Sequence, residues 1–532
     1  MDGKMGGGFV RRWPLYAAVL LAACFMAANL VWLFFDRTPV EWDDGWNLLV
    51  SNYYYRRLSG VEVRPVYEFW RQYPIVYHAA TMYPPFFRLS SAPLYFAFGF
   101  SPDVGVLTNF FFYLLAVYSA WVLAKRLFCS RTAFLACFMV STSPLFLSLS
   151  RFYMLDFALS CLVFSGIVFY VLADNFSSRF NTAVFALLAG LGTMTKLQYP
   201  FLVLAPVLFL FVWANLRGRF RLKRKQVENV IMALCIYLVL VLPWISRNVD
   251  GILAGAEYYV HGNVSVQSLF YYVVETVNGV SLFYFMIFLV SAGAAVYGVW
   301  NRRSLDVKSA VLMAMALFVA STILIYVFSV TINERRYILP AVPATSFVGA
   351  CGITGLKFRG RDVGGVILFA VVVLGLFQVT PYTIDYSLEE RNLALDTPIG
   401  SVRVVPYSSQ YLHKPWSEDW RIMDVLAAVK EGISEGGGNR RVCTNAVLPK
   451  FNDINLQMYS YWQRVPVSFM VLCPGDYTPF DFVIAKEGDT GRKSTEAVAS
   501  RLSCDGNYTV LKSFSMPDGS LTKVYRRKAG ID

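Results

Sequence analysis

The residues best placed to do chemistry are the adjacent carboxylates Asp43 and Asp44, in Glu41-Trp42-Asp43-Asp44-Gly45-Trp46. They follow the first long apolar run, 13–35, by a few residues. An unpaired carboxylate beside a bilayer is costly, so a pair at this position calls for a reason. One reading makes Asp43 a general base at the membrane surface. The other makes this a solvated stretch in which Asp43 and Asp44 cap the following helix.

Other polar residues recur at the ends of apolar runs. Tyr83-Pro84-Pro85 comes first, its prolines stiffening the approach to the second run. Arg151 and Asp156 bracket a short turn, Lys196 ends a run after Thr195, and Trp244 and Arg247 end another. Glu334, Arg335, Arg336 and Tyr337 stand before Leu339-Pro340. Any single Arg or Lys at a helix end also reads as a side chain snorkelling to the headgroups. Gathered on one face, they would set several cations beside two or three carboxylates. Cations there suit a phosphate or diphosphate whose lipid tail stays in the bilayer. A carboxylate suits deprotonation of an acceptor hydroxyl or amine. Nucleotide sugars are generally absent outside the cell membrane, so a sugar donor there would be lipid-borne. The combination points to glycosyl transfer from a polyprenyl phosphate sugar.

The elements that must position these residues are membrane helices. The 532-residue chain is 56% hydrophobic and only 16% charged, too apolar for a soluble protein. Its mean hydropathy of +0.48 agrees. Runs near the length of a bilayer span number about eleven: 14–35, 104–124, 132–147, 155–173, 182–194, 199–215, 227–245, 280–300, 310–330, 338–356 and 363–380. The net charge of +13 lies largely in short loops between them, which argues for positive-inside topology and against a nucleic-acid partner. With the N-terminus cytoplasmic, Arg11, Lys125, Arg126, the 217–225 run, Arg302 and Lys357 fall on one side. The candidate site residues fall on the other. The 36–103 loop carries aromatics and arginines at Tyr53–Arg57 and Tyr67–Arg71, read as two interfacial amphipathic helices.

After about residue 380 the composition becomes that of a soluble protein. The domains expected are a membrane part, 1–380, whose first external loop is 36–103, and a small α/β domain, 381–532, outside the membrane. In the latter, 420–430 has helical spacing, and 441–447, 467–472 and 482–485 read as buried strands. Pro517-Asp518-Gly519 marks a hairpin between 508–514 and 521–526. Of Cys443, Cys473 and Cys504, two at most form a disulfide. With three histidines and no Cys/His spacing, no protein metal site is expected.

The chain resembles the membrane glycosyltransferases of the C-type (GT-C) fold. That group holds protein O-mannosyltransferases, the aminoarabinose transferase acting on lipid A, and related bacterial enzymes. Six stretches carry the resemblance, in the family's order: Asp43-Asp44, Tyr83-Pro84-Pro85, Arg151 to Asp156, Gly190 to Lys196, Pro243 to Asn248, and Arg336 to Pro343. The resemblance implies a polytopic α-helical enzyme of the cell envelope, acting in lipopolysaccharide or protein glycosylation. Asp43 would be the base, with Asp44 where Glu is common. Lys196, Arg247, Arg335 and Arg336 would hold the donor phosphate, and Tyr83, Arg151, Asp156, Trp244 and Tyr337 would support the site. Relatives that use a lipid monophosphate sugar generally need no divalent cation, whereas oligosaccharyl transferases of the broad fold use one. The expectation is thus an integral membrane, multi-pass enzyme without a firm cofactor. Its partners are a polyprenyl-phosphate sugar, membrane lipids and a lipid, glycan or protein acceptor. The alternative is a multi-span transporter or lipid flippase, for which charges near the midplane would speak.

Overall fold

The structure, a computed structural model, describes residues 5–60, 83–214, 216, 223–260, 265–302, 305–329, 333–354, 357–358, 361–362, 364–379, 394–403, 415, 418–433, 440–470, 477 and 479–528. Tyr67–Arg71, Cys473 and residues 217–222 of the basic run lie outside them. The chain forms two compact units. The first comprises Met1–Trp32, Thr81–Phe87 and Asn109–Lys414, and the second Leu33–Ala80, Arg88–Thr108 and Pro415–Asp532.

The first unit is a helical bundle. Its helices are α1 (Met5–Phe35), α3 (Thr108–Leu127), α4 (Ser130–Ser141), α5 (Pro144–Leu149), α6 (Leu155–Ala173), α7 (Arg179–Thr193) and α8 (Tyr199–Ala214). They continue as α9 (Arg224–Val260), α10 (Val266–Val280), α11 (Leu282–Arg302), α12 (Val307–Ser329), α13 (Ala341–Ile353) and α14 (Gly364–Val379). Six helices of the described chain are long and apolar enough to cross a bilayer, and four shorter apolar ones run 10–17 residues. The most apolar window of α6 is 94% buried, against 17% in α9 and α11. So α6 is the centre of the bundle, and α9 and α11 turn Leu234, Val239 and Val290 outward, as lipid-facing helices do. Hydroxyl pairs tie the helices together, among them Ser143–Ser346 at 2.8 Å and Thr142–Tyr284 at 2.7 Å.

Two spans differ from the sequence reading. The run 132–147 is two helices, because Pro144 has no N–H for the α4 ladder and instead opens α5 at its first turn. The run 227–245 continues to Val260 as α9, with non-helical backbone at Asn248 (φ −126°, ψ 18°).

The second unit joins the stretch after α1 to the C-terminal part. α2 (Trp42–Leu58) lies in it with α15 (Ile422–Ile433), α16 (Asp453–Trp462) and α17 (Lys493–Cys504). After a β1–β2 hairpin in the first unit (Ala394–Thr397, Gly400–Arg403), the strands are β3 (Arg440–Thr444), β4 (Val467–Met470), β5 (Phe482–Lys486), β6 (Tyr508–Ser515) and β7 (Leu521–Arg527). Their sheet order is β4-β3-β5-β7-β6. The first three strands are parallel and the β6–β7 hairpin is antiparallel, with Gly519 at φ +81° in its turn. This is the expected small α/β arrangement.

α2 extends one expectation. The expected helix at Tyr53–Arg57 is the C-terminal part of a longer one: its residues are half-buried to exposed, whereas the nine before them, Asp44–Asn52, are buried. The cover comes from α16. A Cβ on Gly45 would stand 2.2 Å from Asn455 Oδ1, so only glycine admits this approach.

Candidate functional site

In the first unit, four of the expected residues meet. Asp156 is the second residue of α6, in the first turn, where the helix N-terminus favours a carboxylate. Lys196 lies in the turn after α7. There Lys196 N–H bonds Gly192 O at 3.0 Å, and Tyr199 N–H bonds Lys196 O at 3.0 Å. The Tyr199 ring folds over Gly192, where an added Cβ would come within 2.0 Å of it. The glycine thus lets the chain turn back tightly, and Lys196 Nζ reaches Asp156 Oδ1 at 2.8 Å. Both residues are 4% exposed.

Arg336 and Tyr337 arrive on a 3₁₀ turn, Arg335–Ile338, ahead of α13. Arg336 Nε stands 4.0 Å from the other Asp156 oxygen, and Nη1 is 3.2 Å from Met154 Sδ. Both cations stand near the Tyr337 ring, with Lys196 Nζ 4.9 Å and the Arg336 guanidinium 5.5 Å from its centroid. Tyr326 of α12 stacks on that ring at 5.2 Å and 9°. The result is a buried carboxylate holding two cations beside one aromatic ring, whose negative quadrupole favours both. The cluster carries one net positive charge. It has the ingredients to bind a phosphate and to stabilise charge that develops on it.

The remaining expected residues divide. Arg335 pairs with Glu275 of α10, its Nη2 also bonding Glu275 Oε1 at 3.2 Å. Arg151 is 3% exposed, donates from Nε to Asn29 Oδ1 at 2.9 Å, and lies 5.1 Å over Trp32. Its contacts tie α1 to the bundle. Tyr83 is half-buried, and its segment is fixed to the Lys196 turn by Phe86 N–H on Met194 O at 2.9 Å. Trp244 is half-buried and Arg247 exposed on α9, one residue before Asn248. Among the described residues no hydrogen bond or ion pair joins Arg247 to Asp156, Lys196 or Arg336.

In the second unit, Asp43 and Asp44 are in the first turn of α2, after Glu41, which caps the helix without a side-chain bond. Asp43 is exposed and Asp44 is 2% exposed. Of the two carboxylates, Asp43 is the one open to solvent. The turn is braced from the far end of the chain: Asn455 Nδ2 donates to Val40 O. Further along α2, Arg88 Nε donates to Asn47 Oδ1 at 3.0 Å and Ser51 Oγ to Arg88 O at 2.6 Å.

Sequence reasoning missed Glu275, Tyr326, Asn455 and Arg88. Glu275 had a usable signal, as a lone acid in the apolar stretch Tyr271 to Val280. Asn455 had none.

Residues 83–246 match the family model described as dolichyl-phosphate-mannose-protein mannosyltransferase. That range holds Tyr83, Arg151, Asp156, Lys196 and Trp244. No curated protein matches the chain by sequence. Among solved structures, the chain is similar to ArnT from Cupriavidus metallidurans bound to undecaprenyl phosphate, at 15% identity and a TM-score of 0.61, covering 96% of this chain and 98% of that one. It is similar to the archaeal oligosaccharyltransferase AglB from Archaeoglobus fulgidus, in complex with an inhibitory peptide and a dolichol-phosphate, at 12% identity and a TM-score of 0.50, covering 98% and 75%. It is also similar to the arabinofuranosyltransferase AftD from mycobacteria, at 11% identity and a TM-score of 0.54, covering 98% of this chain and 40% of that one. The chain has the fold of the C-type membrane glycosyltransferases.

Proposed function

We propose that the chain is an inverting glycosyltransferase. It moves a sugar from a polyprenyl or dolichyl phosphate to a lipid, glycan or protein acceptor on the extracytoplasmic face of the membrane. The observation that carries this is the Lys196–Asp156–Arg336 cluster over Tyr337. A sugar phosphodiester bears one negative charge, which the cluster's net positive charge balances. As the bond from the anomeric carbon to phosphate breaks, its electron pair leaves on the phosphate, adding negative charge that Lys196 and Arg336 stabilise. Asp43 takes the acceptor's proton as the new bond forms. Asp44 stands beside Asp43 in the first turn of α2, and Arg335 and Arg247 are assigned as accessory phosphate contacts. The bound undecaprenyl phosphate and dolichol-phosphate of the similar structures support this donor class.

The division into a membrane part, 1–380, and an extracytoplasmic domain, 381–532, is part of the proposal, as is a cytoplasmic N-terminus. The basic loops support that orientation. So does Cys443, which is disulfide-bonded and suits an oxidising compartment. The test is transfer by the purified chain in liposomes, from a panel of undecaprenyl phosphate hexoses and pentoses to envelope lipids and glycans. Asp43→Asn is expected to lose transfer by 100-fold or more while still binding undecaprenyl phosphate, in keeping with general-base contributions of about 10²–10⁴. Undiminished transfer by Asp43→Asn contradicts the assignment.

A further inference from the structure

The second unit contains a cavity of about 710 Å³ that the chemistry above does not use. It opens between α2, the chain around Gly99, and the end of α16 with the segment leading into β4. Its volume falls in the range of small-ligand sites. Tyr55, Phe100, Tyr461 and Trp462 supply aromatic walls, and Arg56 and Arg464 supply charge. No carboxylate is among the described residues that line it. Arg56 stands 5.2 Å over the Tyr461 ring. Asn52, which also lines the cavity, is 2% exposed, and its Nδ2 makes no hydrogen bond; nor does the buried Tyr461 hydroxyl. Buried donors of this kind ordinarily find partners, so two on one cavity wall point to an absent ligand that accepts hydrogen bonds. Arg464 has φ +53°, in the left-handed region that glycine favours just past a helix end. A long cation occupies the position where glycine would fit with least strain.

We propose that this cavity binds an anionic sugar, a phosphorylated or carboxylated unit of the acceptor. A pyranose offers apolar C–H faces to aromatic rings and hydroxyl oxygens to Asn52 and Tyr461. Its anionic group takes Arg56 and Arg464, whose planar forks match phosphate and carboxylate. Asn52 follows Asp43 by nine residues on the same helix, about 13 Å along its axis. An acceptor with more than one sugar spans that interval, one unit held in the cavity while another meets the base. Assignment of the bound sugar to the acceptor rests on the glycosyl-transfer reading, whereas binding itself does not.

The test uses the full chain in detergent, with glucose 1-phosphate as probe and glucose, inorganic phosphate and tetra-aspartate as comparators, read by isothermal titration. Saturable binding of glucose 1-phosphate is expected, at least tenfold tighter than any comparator. Arg464→Gln and Trp462→Ala should each weaken it tenfold or more with an unchanged melting temperature. Lys196→Met should leave it as it is, since that residue belongs to the donor cluster. Equal binding by wild type and Arg464→Gln overturns the proposal. So does inorganic phosphate binding as well as the ester, which marks a bare anion patch, or tetra-aspartate binding better, which marks a peptide site. If binding behaves as expected but no lipid-linked sugar is transferred, the cavity stands and the transferase reading falls. If transfer occurs without this binding, the cavity proposal alone falls.

Discussion

Removing the two halves of the Lys196–Asp156 pair should have unequal consequences, because among the described residues Asp156 has a second cation and Lys196 has no second carboxylate. Lys196→Met takes away the partner at 2.8 Å but leaves Arg336 4.0 Å from the same carboxylate. Asp156→Asn instead takes from the buried Lys196 its carboxylate at 2.8 Å and leaves it beside a second cation near the same tyrosine ring. Breaking a buried pair costs roughly 3–5 kcal/mol when one charge is left uncompensated. At an effective dielectric of about 20, a charge pair at 4 Å is worth roughly 4 kcal/mol, so the remaining Arg336 recovers much of what Lys196→Met removes. Lys196→Met should therefore lose about 2 kcal/mol or less, and Asp156→Asn at or above the upper end of that range. Activity should run the other way for the lysine. Losing one preorganised group at a developing charge lowers kcat by about 10²–10³. The assay pairs thermal unfolding of the purified variants in detergent with sugar turnover in liposomes. Lys196→Met should be nearly as stable as wild type and almost inactive, whereas Asp156→Asn should be the less stable of the two. A Lys196→Met protein that keeps more than a tenth of the wild-type turnover, or melts below Asp156→Asn, would refute the reasoning.

Three more expectations concern the second unit. Gly45→Ala puts a methyl 2.2 Å from Asn455 Oδ1, so the Asn455 amide must turn away, losing its brace to Val40 O, or α2 must shift from α16; limited proteolysis should show this unit loosened by roughly 1–3 kcal/mol, and unaltered cleavage contradicts the packing. Reductant should lower the melting temperature of this unit, since Cys443 is disulfide-bonded and a disulfide typically contributes about 2–4 kcal/mol; a melt indifferent to reductant counts against it. Finally, Lys486 is fully buried, and besides bonding Glu487 O and Asp489 O it pairs with Asp518 at 2.6 Å. Burial alone would raise the Asp518 carboxyl, but its bonds to Lys486 and Ser520 outweigh that and hold it below the usual carboxylate range. The pair's stability is then fully present above the unfolded pKa near 4 and lost as the pH falls through the lower folded value. Because Asp518 is one-third exposed, Asp518→Asn should cost only about 1 kcal/mol at pH 7, or roughly 3 °C, and less in acid, as the pH falls through the folded value. An equal shift at pH 7 and in acid contradicts the linkage.

Much of this architecture was legible because a membrane chain writes its helices as apolar runs. Each of the eleven runs is largely helical, though Pro144 splits one and α9 overruns another. Asp156, Lys196, Arg336 and Tyr337 could be picked out because each is polar at the edge of such a run, where polar groups are expensive. Their distances could not, since they come from three separate parts of the chain. Glu275 escaped notice because its stretch was taken for part of an external loop, and its partner Arg335 lies 60 residues on. α2 was legible in part for a related reason. Its aromatics and arginines at Tyr53–Arg57 mark a helix, but the burial of Asp44–Asn52 against α16 and the brace from Asn455 to Val40, which spans 415 residues, show only in the fold. The glycines at 45 and 192 make the same point, since what each must accommodate is a side chain visible only in the fold.

The most direct test of the central claim is a structure of the full chain with undecaprenyl phosphate bound. The expected result is a phosphate oxygen within hydrogen-bond distance of Lys196 Nζ and the Arg336 guanidinium, with Asp156 still bridging them and affinity lost in Lys196→Met. A head group bound away from Lys196 and Arg336, with Lys196→Met binding as wild type does, would contradict it.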